Sequence, residues 1–420
     1  MGVDFIQILS KNGEKTPFLQ LGTACARKVL MKISLALFCA SFATGALAAG
    51  FGLNEMSARG NALQGTLVGS TRDASAAYFN PANLTELGDG IHSMLGLTFA
   101  RPDYNTYVGG VRTDQDEHIF ELPHLYVASR VADGLFLGLG EYTEFGLGTR
   151  YLNGKTWPLA ADSTKTTMYS FTFSPTIGWQ VADTLSLGAG LRLLYLNLIS
   201  DRMLPAYASH CHMDTEDWAL SYLASAAWQI TRDLRFGVVY RAQADFHEEG
   251  DIALSPLGLG TGVKGDISMP QSVMAGFNWQ CTERLNLGLN VTYVDWSVVK
   301  SLDQDFESPA FPDQKAPHNW HDTWRASVGA EYRINASWAV QGGVTHDLDP
   351  TDAGFANTMC PPGDRDQIGV GFTYAHGDWT FSADYMFVFI HSTDRDIHGV
   401  ETHFRDLRSD TLGLTVGRRF

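Results

Sequence analysis

From about residue 91 onward the chain alternates apolar and polar positions in runs of roughly ten residues. Leu185, Leu187, Ala189, Leu191, Leu193 and Tyr195 are separated by Ser186, Gly188, Gly190 and Arg192. Trp218, Leu220, Tyr222, Ala224, Ala226 and Trp228 form a second such run, and Leu285 to Tyr293 and Trp379 to Phe389 form two more. A period of two marks β-strands with one apolar face. Roughly ten residues is the length a tilted strand needs to cross a hydrocarbon core. Strands of soluble sandwiches are shorter, commonly about five or six residues. After the N-terminal region no run of about eighteen apolar residues occurs, which sets aside a helical membrane protein.

A phrase repeats between these runs: Trp179-Gln180, Trp228-Gln229 and Trp279-Gln280 each end a strand and precede a short turn. Aromatics beside short turns describe the interfacial girdle of a transmembrane β-barrel, so the tryptophans are expected at the periplasmic rim facing lipid. Fourteen strands are expected, starting near Ile91, Ile119, Leu135, Met168, Leu185, Glu216, Leu234, Ile267, Leu285, His321, Trp338, Asp366, Asp378 and His403. Six short turns alternate with seven longer polar loops, the asymmetry of bacterial outer-membrane barrels. The last strand ends on Phe420 in phase with Leu412, Leu414 and Val416. Such an ending resembles the C-terminal signal read by the barrel assembly machinery, an expected partner.

The fold class predicted is therefore all-β: a 14-stranded antiparallel transmembrane β-barrel over residues 91–420. Residues 49–90 do not alternate and are rich in Gly, Ala, Ser and Asn. They are expected to form a plug in the lumen, because a wide barrel leaves space to fill. Residues 1–48 read as a signal region: Arg27, Lys28 and Lys32 flank an apolar stretch, and Ala46-Leu47-Ala48 offers a cleavage site. Met31 is an alternative start, which would make residues 1–30 an over-long beginning.

Low charge (18%) with 12% aromatics and 42 glycines suits strands that pack closely and face lipid. The net charge of −16 argues against nucleic-acid partners. Acidic outer loops, such as Asp303 to Glu307, would lie among outer-membrane lipid and lipopolysaccharide. Of the cysteines beyond the signal region, only Cys211 and Cys360 fall where pairing is geometrically open; Cys281 falls in an inner turn. His210-Cys211-His212-Met213-Asp214 has metal-ligand residue types but no second cluster at fixed spacing, so no metal site is assigned. No cofactor motif occurs, and none is expected.

The mature start Ala49-Gly50-Phe51-Gly52-Leu53-Asn54-Glu55 resembles that of the FadL family of outer-membrane long-chain fatty acid transporters. Asn80-Pro81-Ala82, Met269-Pro270, Asp295-Trp296-Ser297, Asn319 to Arg325, Gly329 to Arg333 and Asp364-Arg365-Asp366 match that family in order along nearly the whole chain. The resemblance implies a monomeric plugged barrel for passive transport of long-chain fatty acids or similar hydrophobic molecules, including aromatic hydrocarbons. It implies capture at outer loops, binding near the plug, and lateral release through the wall. Carried over, Phe51, Leu53 and Phe79 become ligand contacts. Asn80, Pro81 and Ala82 become a gate pressed near an interrupted wall, since proline fixes φ and has no N–H. Tyr151, Leu152, Trp157 and Leu159 become the outer capture groove.

The inward register of the strands also carries Arg192, Arg235, Arg241 and Arg325. A permanently charged, bidentate guanidinium suits a carboxylate, so Arg192 and Arg325 are candidate ligand residues. Arg241 beside Asp245 is a candidate structural pair. Two other functions are open to a barrel: a general diffusion porin, which would not need a plug, and a barrel enzyme. His118, His124, His321 and His391 belong to no Ser-His constellation, so no catalytic residues are assigned and the protein is not expected to be an enzyme.

Overall fold

The computed structural model describes residues 50–420 apart from 117, 153–154, 206–207 and 310. The expected signal region, 1–48, lies outside the described residues. Fourteen antiparallel strands close on one another as a single sheet. In chain order they are β1 (Ile91–Val108), β2 (Phe120–Ala132), β3 (Leu135–Tyr142, resuming at Leu147–Arg150), β4 (Lys165–Ala182), β5 (Leu185–Leu204), β6 (Ser209–Gln229) and β7 (Leu234–Arg241, resuming at Ala244–Ser255). Then follow β8 (Leu259–Met269, resuming at Ser272–Gln280), β9 (Leu285–Val294), β10 (Thr323–Arg333), β11 (Trp338–Asp347), β12 (Arg365–His376), β13 (Trp379–Ile390) and β14 (Val400–Arg419). Closure is made by β14 on β1, from Arg419 opposite His92 to Thr402 opposite Val108. The Phe420 N–H donates to the Ile91 carbonyl at 2.9 Å to finish the seam.

The sheet faces as the alternation requires. Leu187, Leu191 and Leu193 of β5 are exposed toward lipid, whereas Ser186 and Arg192 are buried in the lumen. Trp179, Trp228, Trp338 and Trp379 are exposed at the inner strand ends, and Phe171, Tyr195 and Trp218 stack into an outer girdle. Four strands begin three or more residues earlier than the expected Met168, Glu216, Ile267 and His403: at Lys165, Ser209, Leu259 and Val400. These extensions rise above the girdle, where the pattern inverts. Cys211, Met213, Ile252 and Leu254 are buried, while His212, Asp214 and Asp251 face water. Beyond the lipid an outward side chain gains nothing from being apolar, so the membrane rule stops marking the strand.

The plug runs from Gly50 to Gly90 with two short helices, α1 (Ala58–Ala62) and α2 (Ala76–Phe79), and a 3-10 turn at Pro81–Glu86. Ser57 caps α1 by accepting the Gly60 N–H at 3.1 Å. Wall and plug are tied by polar contacts: Arg59 Nε to Glu331 at 2.7 Å, the Ala58 N–H to Thr415 Oγ1 at 2.9 Å, and Asn278 Nδ2 to the Thr66 carbonyl at 2.9 Å. On another side, plug backbone presses on wall glycines. A Cβ on Gly237 would lie 2.0 Å from the Val68 oxygen, and one on Gly188 would lie 2.4 Å from the Ala82 nitrogen. Cys211 and Cys360 form no disulfide, so their open pairing is not made.

Candidate functional site

The wall is interrupted at β3. Below the interruption β3 pairs with β4 up to Tyr142 opposite Thr172; above it, pairing resumes with Leu147 opposite Met168. Four residues, Thr143 to Gly146, therefore stand against three, Tyr169 to Phe171, which is the geometry of a bulge. The bulged segment turns inward, and Glu144 and Phe145 are buried. Pairing of β2 with β3 stops at Leu125 opposite Glu141, which leaves Phe120 to His124 without a partner on that side. Phe120 closes the top of the opening by lying over Gly148, where a Cβ would sit 1.8 Å from the ring. A cavity of about 670 Å3 fills the opening and reaches inward past Leu53 and Met168 to Arg365. Its outer edge carries Tyr169 and Phe171 on the lipid-facing phase.

The start of the plug lines the other side of this cavity. Gly52 bridges to Phe145, the Leu53 N–H donates to the Glu144 carbonyl at 2.9 Å, and the Gly146 N–H donates to the Phe51 carbonyl at 2.9 Å. Arg365 Nη2 donates to the Gly50 carbonyl at 3.1 Å. The Phe51 ring is fully buried against Trp320 (4.6 Å between centroids) and Trp296 (6.0 Å). Gly50 has φ +55, and a Cβ there would lie 2.8 Å from both indoles, so only glycine fits. Cys360 belongs to the same apolar cluster. Burial pushes its thiol up to about 12, so it packs as a neutral group.

On the far side of Gly52–Asn54 lies a smaller cavity of about 80 Å3, lined by Arg192, Arg241 and Arg325 against two carboxylates, Glu144 and Asp347. Arg192 Nη2 is 2.6 Å from Glu144 Oε2, and Arg241 Nε is 3.4 Å from Glu144 Oε1. Arg241 also donates to the Tyr78 carbonyl at 2.6 Å and lies 4.3 Å over the Tyr78 ring. Arg325 donates to Gln367 at 3.3 Å, and its buried Nε makes no hydrogen bond.

Leu53, Arg192 and Arg325 line these two cavities, and Phe51 packs beside them in the apolar cluster with Trp296 and Trp320. Phe79 lies elsewhere, in the plug's own core against Tyr78. Asn80, Pro81 and Ala82 make their contacts away from the Thr143–Gly146 bulge: Asn80 Nδ2 donates to the Val68 and Ala226 carbonyls and the Ala82 N–H to Ser225 Oγ of β6. Tyr151, Trp157 and Leu159 are buried in an outer-loop core with Phe404, because the loop folds onto its own aromatics; Leu152 alone of that set is exposed. Arg241 pairs with Glu144 rather than Asp245, which is bonded to Ser268. Arg235 is held by Glu86 at 3.4 Å. Glu144 and Arg365 escaped the sequence reading of the site. The break in alternation at Thr143–Gly146 was the available signal for the first.

A closed fourteen-stranded barrel with an occupied lumen, a girdled exterior and a cavity opening through the wall defines an outer-membrane transport barrel. Residues 39–413 match the family model described as outer membrane protein transport protein (OMPP1/FadL/TodX). The chain belongs to this family and to the Gram-negative outer membrane. It is 21% identical over 402 residues to a long-chain fatty acid transport protein of Escherichia coli, covering 84% of this chain and 89% of the relative. Among solved structures it shares its fold with a Pseudomonas aeruginosa FadL homologue (TM-score 0.80, 18% identity, 89% of this chain and 100% of that one). The Ralstonia pickettii toluene transporter TbuX also shares it (TM-score 0.70, 21% identity, 88% and 99%).

Proposed function

We propose that this barrel moves long-chain fatty acids or similar amphiphiles passively, and that they leave sideways through the opening between β2 and the Thr143–Gly146 bulge. The observation that carries the reading is the single cavity of about 670 Å3 that joins lumen-facing Leu53 and Arg365 to lipid-facing Tyr169 and Phe171. An apolar molecule gains by going from one nonpolar surrounding to another without crossing water, which a wall opening permits and an axial pore does not. The carboxylate is supported by the three arginines against two acids, with the Arg325 Nε unpartnered. In this reading Gly52–Asn54 forms the partition between the two cavities, and Phe51 anchors it. Asn80–Pro81–Ala82 serves as the dock that fixes the plug, and Leu152 is the member of the outer-loop set placed to meet incoming ligand.

Proteoliposome uptake of palmitate, hexadecanol and toluene tests the substrate class. The reading expects palmitate to be taken up and Arg325→Gln to weaken palmitate while leaving hexadecanol unchanged. Uptake of toluene alone would assign the barrel to aromatic hydrocarbons, and steady ion current in planar bilayers would favour a diffusion porin.

A further inference from the structure

The opening in the wall raises a physical question: why does the extra residue of β3 push inward and not outward into lipid? A bulge adds one residue to one strand but does not fix the side to which it is displaced. Resting on the exit proposed above, we infer that Glu144 is the positioning residue that holds the opening, by anchoring the bulge to two lumen-facing arginines of β5 and β7.

Glu144 sits at the second position of the bulge, and its side chain is 6% exposed. Both oxygens are engaged from farther round the wall: Oε2 by Arg192 of β5 at 2.6 Å, Oε1 by Arg241 of β7 at 3.4 Å. Thr172 Oγ1 of β4 donates to Oε2 at 3.3 Å. The two arginines are themselves fixed, Arg192 by the Ala242 carbonyl at 2.8 Å and Arg241 by the Tyr78 carbonyl at 2.6 Å. The anchor is thus rigid, and it ties the bulge to the wall on one side and the plug on the other. Arg192 and Arg241, 2% and 4% exposed, would be left as uncompensated buried charges if Glu144 turned outward. Breaking a buried pair by removing one partner is strongly unfavourable. Arg192, as the nearer partner of Glu144, thereby shapes the wall as well.

The alternative position of β3 is set by register. Continuing the pairing of Leu125 with Glu141 outward places Glu121 opposite Phe145, with no opening between them. Cysteines at these two positions therefore report whether the wall is open. In a chain with Cys211, Cys281 and Cys360 replaced by Ser, the Glu121→Cys/Phe145→Cys pair should stay unlinked under mild oxidant. Adding Glu144→Ala should let the disulfide form, and palmitate uptake by the Glu144→Ala chain without the cysteine pair should fall. Glu144→Asp should restore part of the uptake. Heat-modifiable gel mobility checks that each variant is a folded barrel, and Arg192→Gln with Arg241→Gln provides a second route to the same release. The inference is overturned if the cysteine pair in folded Glu144→Ala protein links no more than in its parent, or links equally in both. The crosslink reads the position of β3 independently of transport. A crosslink that forms while uptake persists refutes the lateral exit and leaves the anchor standing.

Discussion

Phe51→Ala should undock the start of the plug without unfolding the barrel. Phe51 is fully buried against two indoles, and truncating such a ring costs about 3–5 kcal/mol when the site does not collapse. What else holds the segment is three backbone contacts: Leu53 N–H to the Glu144 carbonyl, Gly146 N–H to the Phe51 carbonyl, and Arg365 to the Gly50 carbonyl. Each contributes roughly 0.5–1.5 kcal/mol net, the last somewhat more because it is charged. Phe51 therefore supplies about as much as the three together. A loss of about 3 kcal/mol multiplies the undocked fraction by more than ~100, since each 1.4 kcal/mol is tenfold. Hydrogen exchange followed by mass spectrometry reads this directly. Peptides containing the Leu53 and Gly146 amides should lose protection by about that factor, while β9 to β13 keep theirs. Unchanged protection at Leu53 and Gly146 in a folded Phe51→Ala barrel would refute the reasoning.

Gly237→Ala places a methyl 2.0 Å from the Val68 carbonyl and should push the plug off the β7 wall, at about the 1–3 kcal/mol typical of overpacking; ion current through planar bilayers should rise, and current as low as in the parent would count against the dock. Arg59→Met removes the ion-pair partner of half-buried Glu331 and should weaken plug docking by about 1.5–3 kcal/mol, read as faster exchange of α1 amides. In the outer hairpin above the girdle, burial pushes Glu248 up to about 7 from the ordinary value of 4.5, partly offset by Thr215. Because its folded pKa is raised, the hairpin is most stable below about 4.5 and loses stability as pH rises toward 7. Protease cleavage near the Pro256–Gly258 turn should accordingly be faster at pH 8 than at pH 5, after correction for protease activity, and Glu248→Gln should flatten that difference.

The fourteen strands and the plug could be read from the chain because lipid and lumen impose opposite demands on alternate residues. That rule weakened where the demand ended. Ser209–Thr215 is a strand, yet its outward His210, His212 and Asp214 face water, so it looked like loop. The site was only half legible for a related reason. Phe51, Leu53, Arg192 and Arg325 show themselves by phase and by family likeness, but their partners lie far along the chain. Glu144 is 48 residues from Arg192 and sits in Tyr142-Thr143-Glu144-Phe145-Gly146, where alternation fails. Nothing local says that a carboxylate there will point into the lumen. Proline suits a docked plug turn as well as a gate, so Pro81 by itself does not say which wall it meets.

The lateral exit is tested most directly by blocking it. In the background lacking native cysteines, Thr143→Cys lines the opening, and a bulky maleimide attached there would fill the cavity between Phe171 and Leu53. Palmitate uptake into proteoliposomes should fall to the level of protein-free vesicles once modification is complete, and should be unaffected by the same reagent on Ser297→Cys in the outer loop. Full uptake through a completely modified Thr143→Cys barrel would contradict the account.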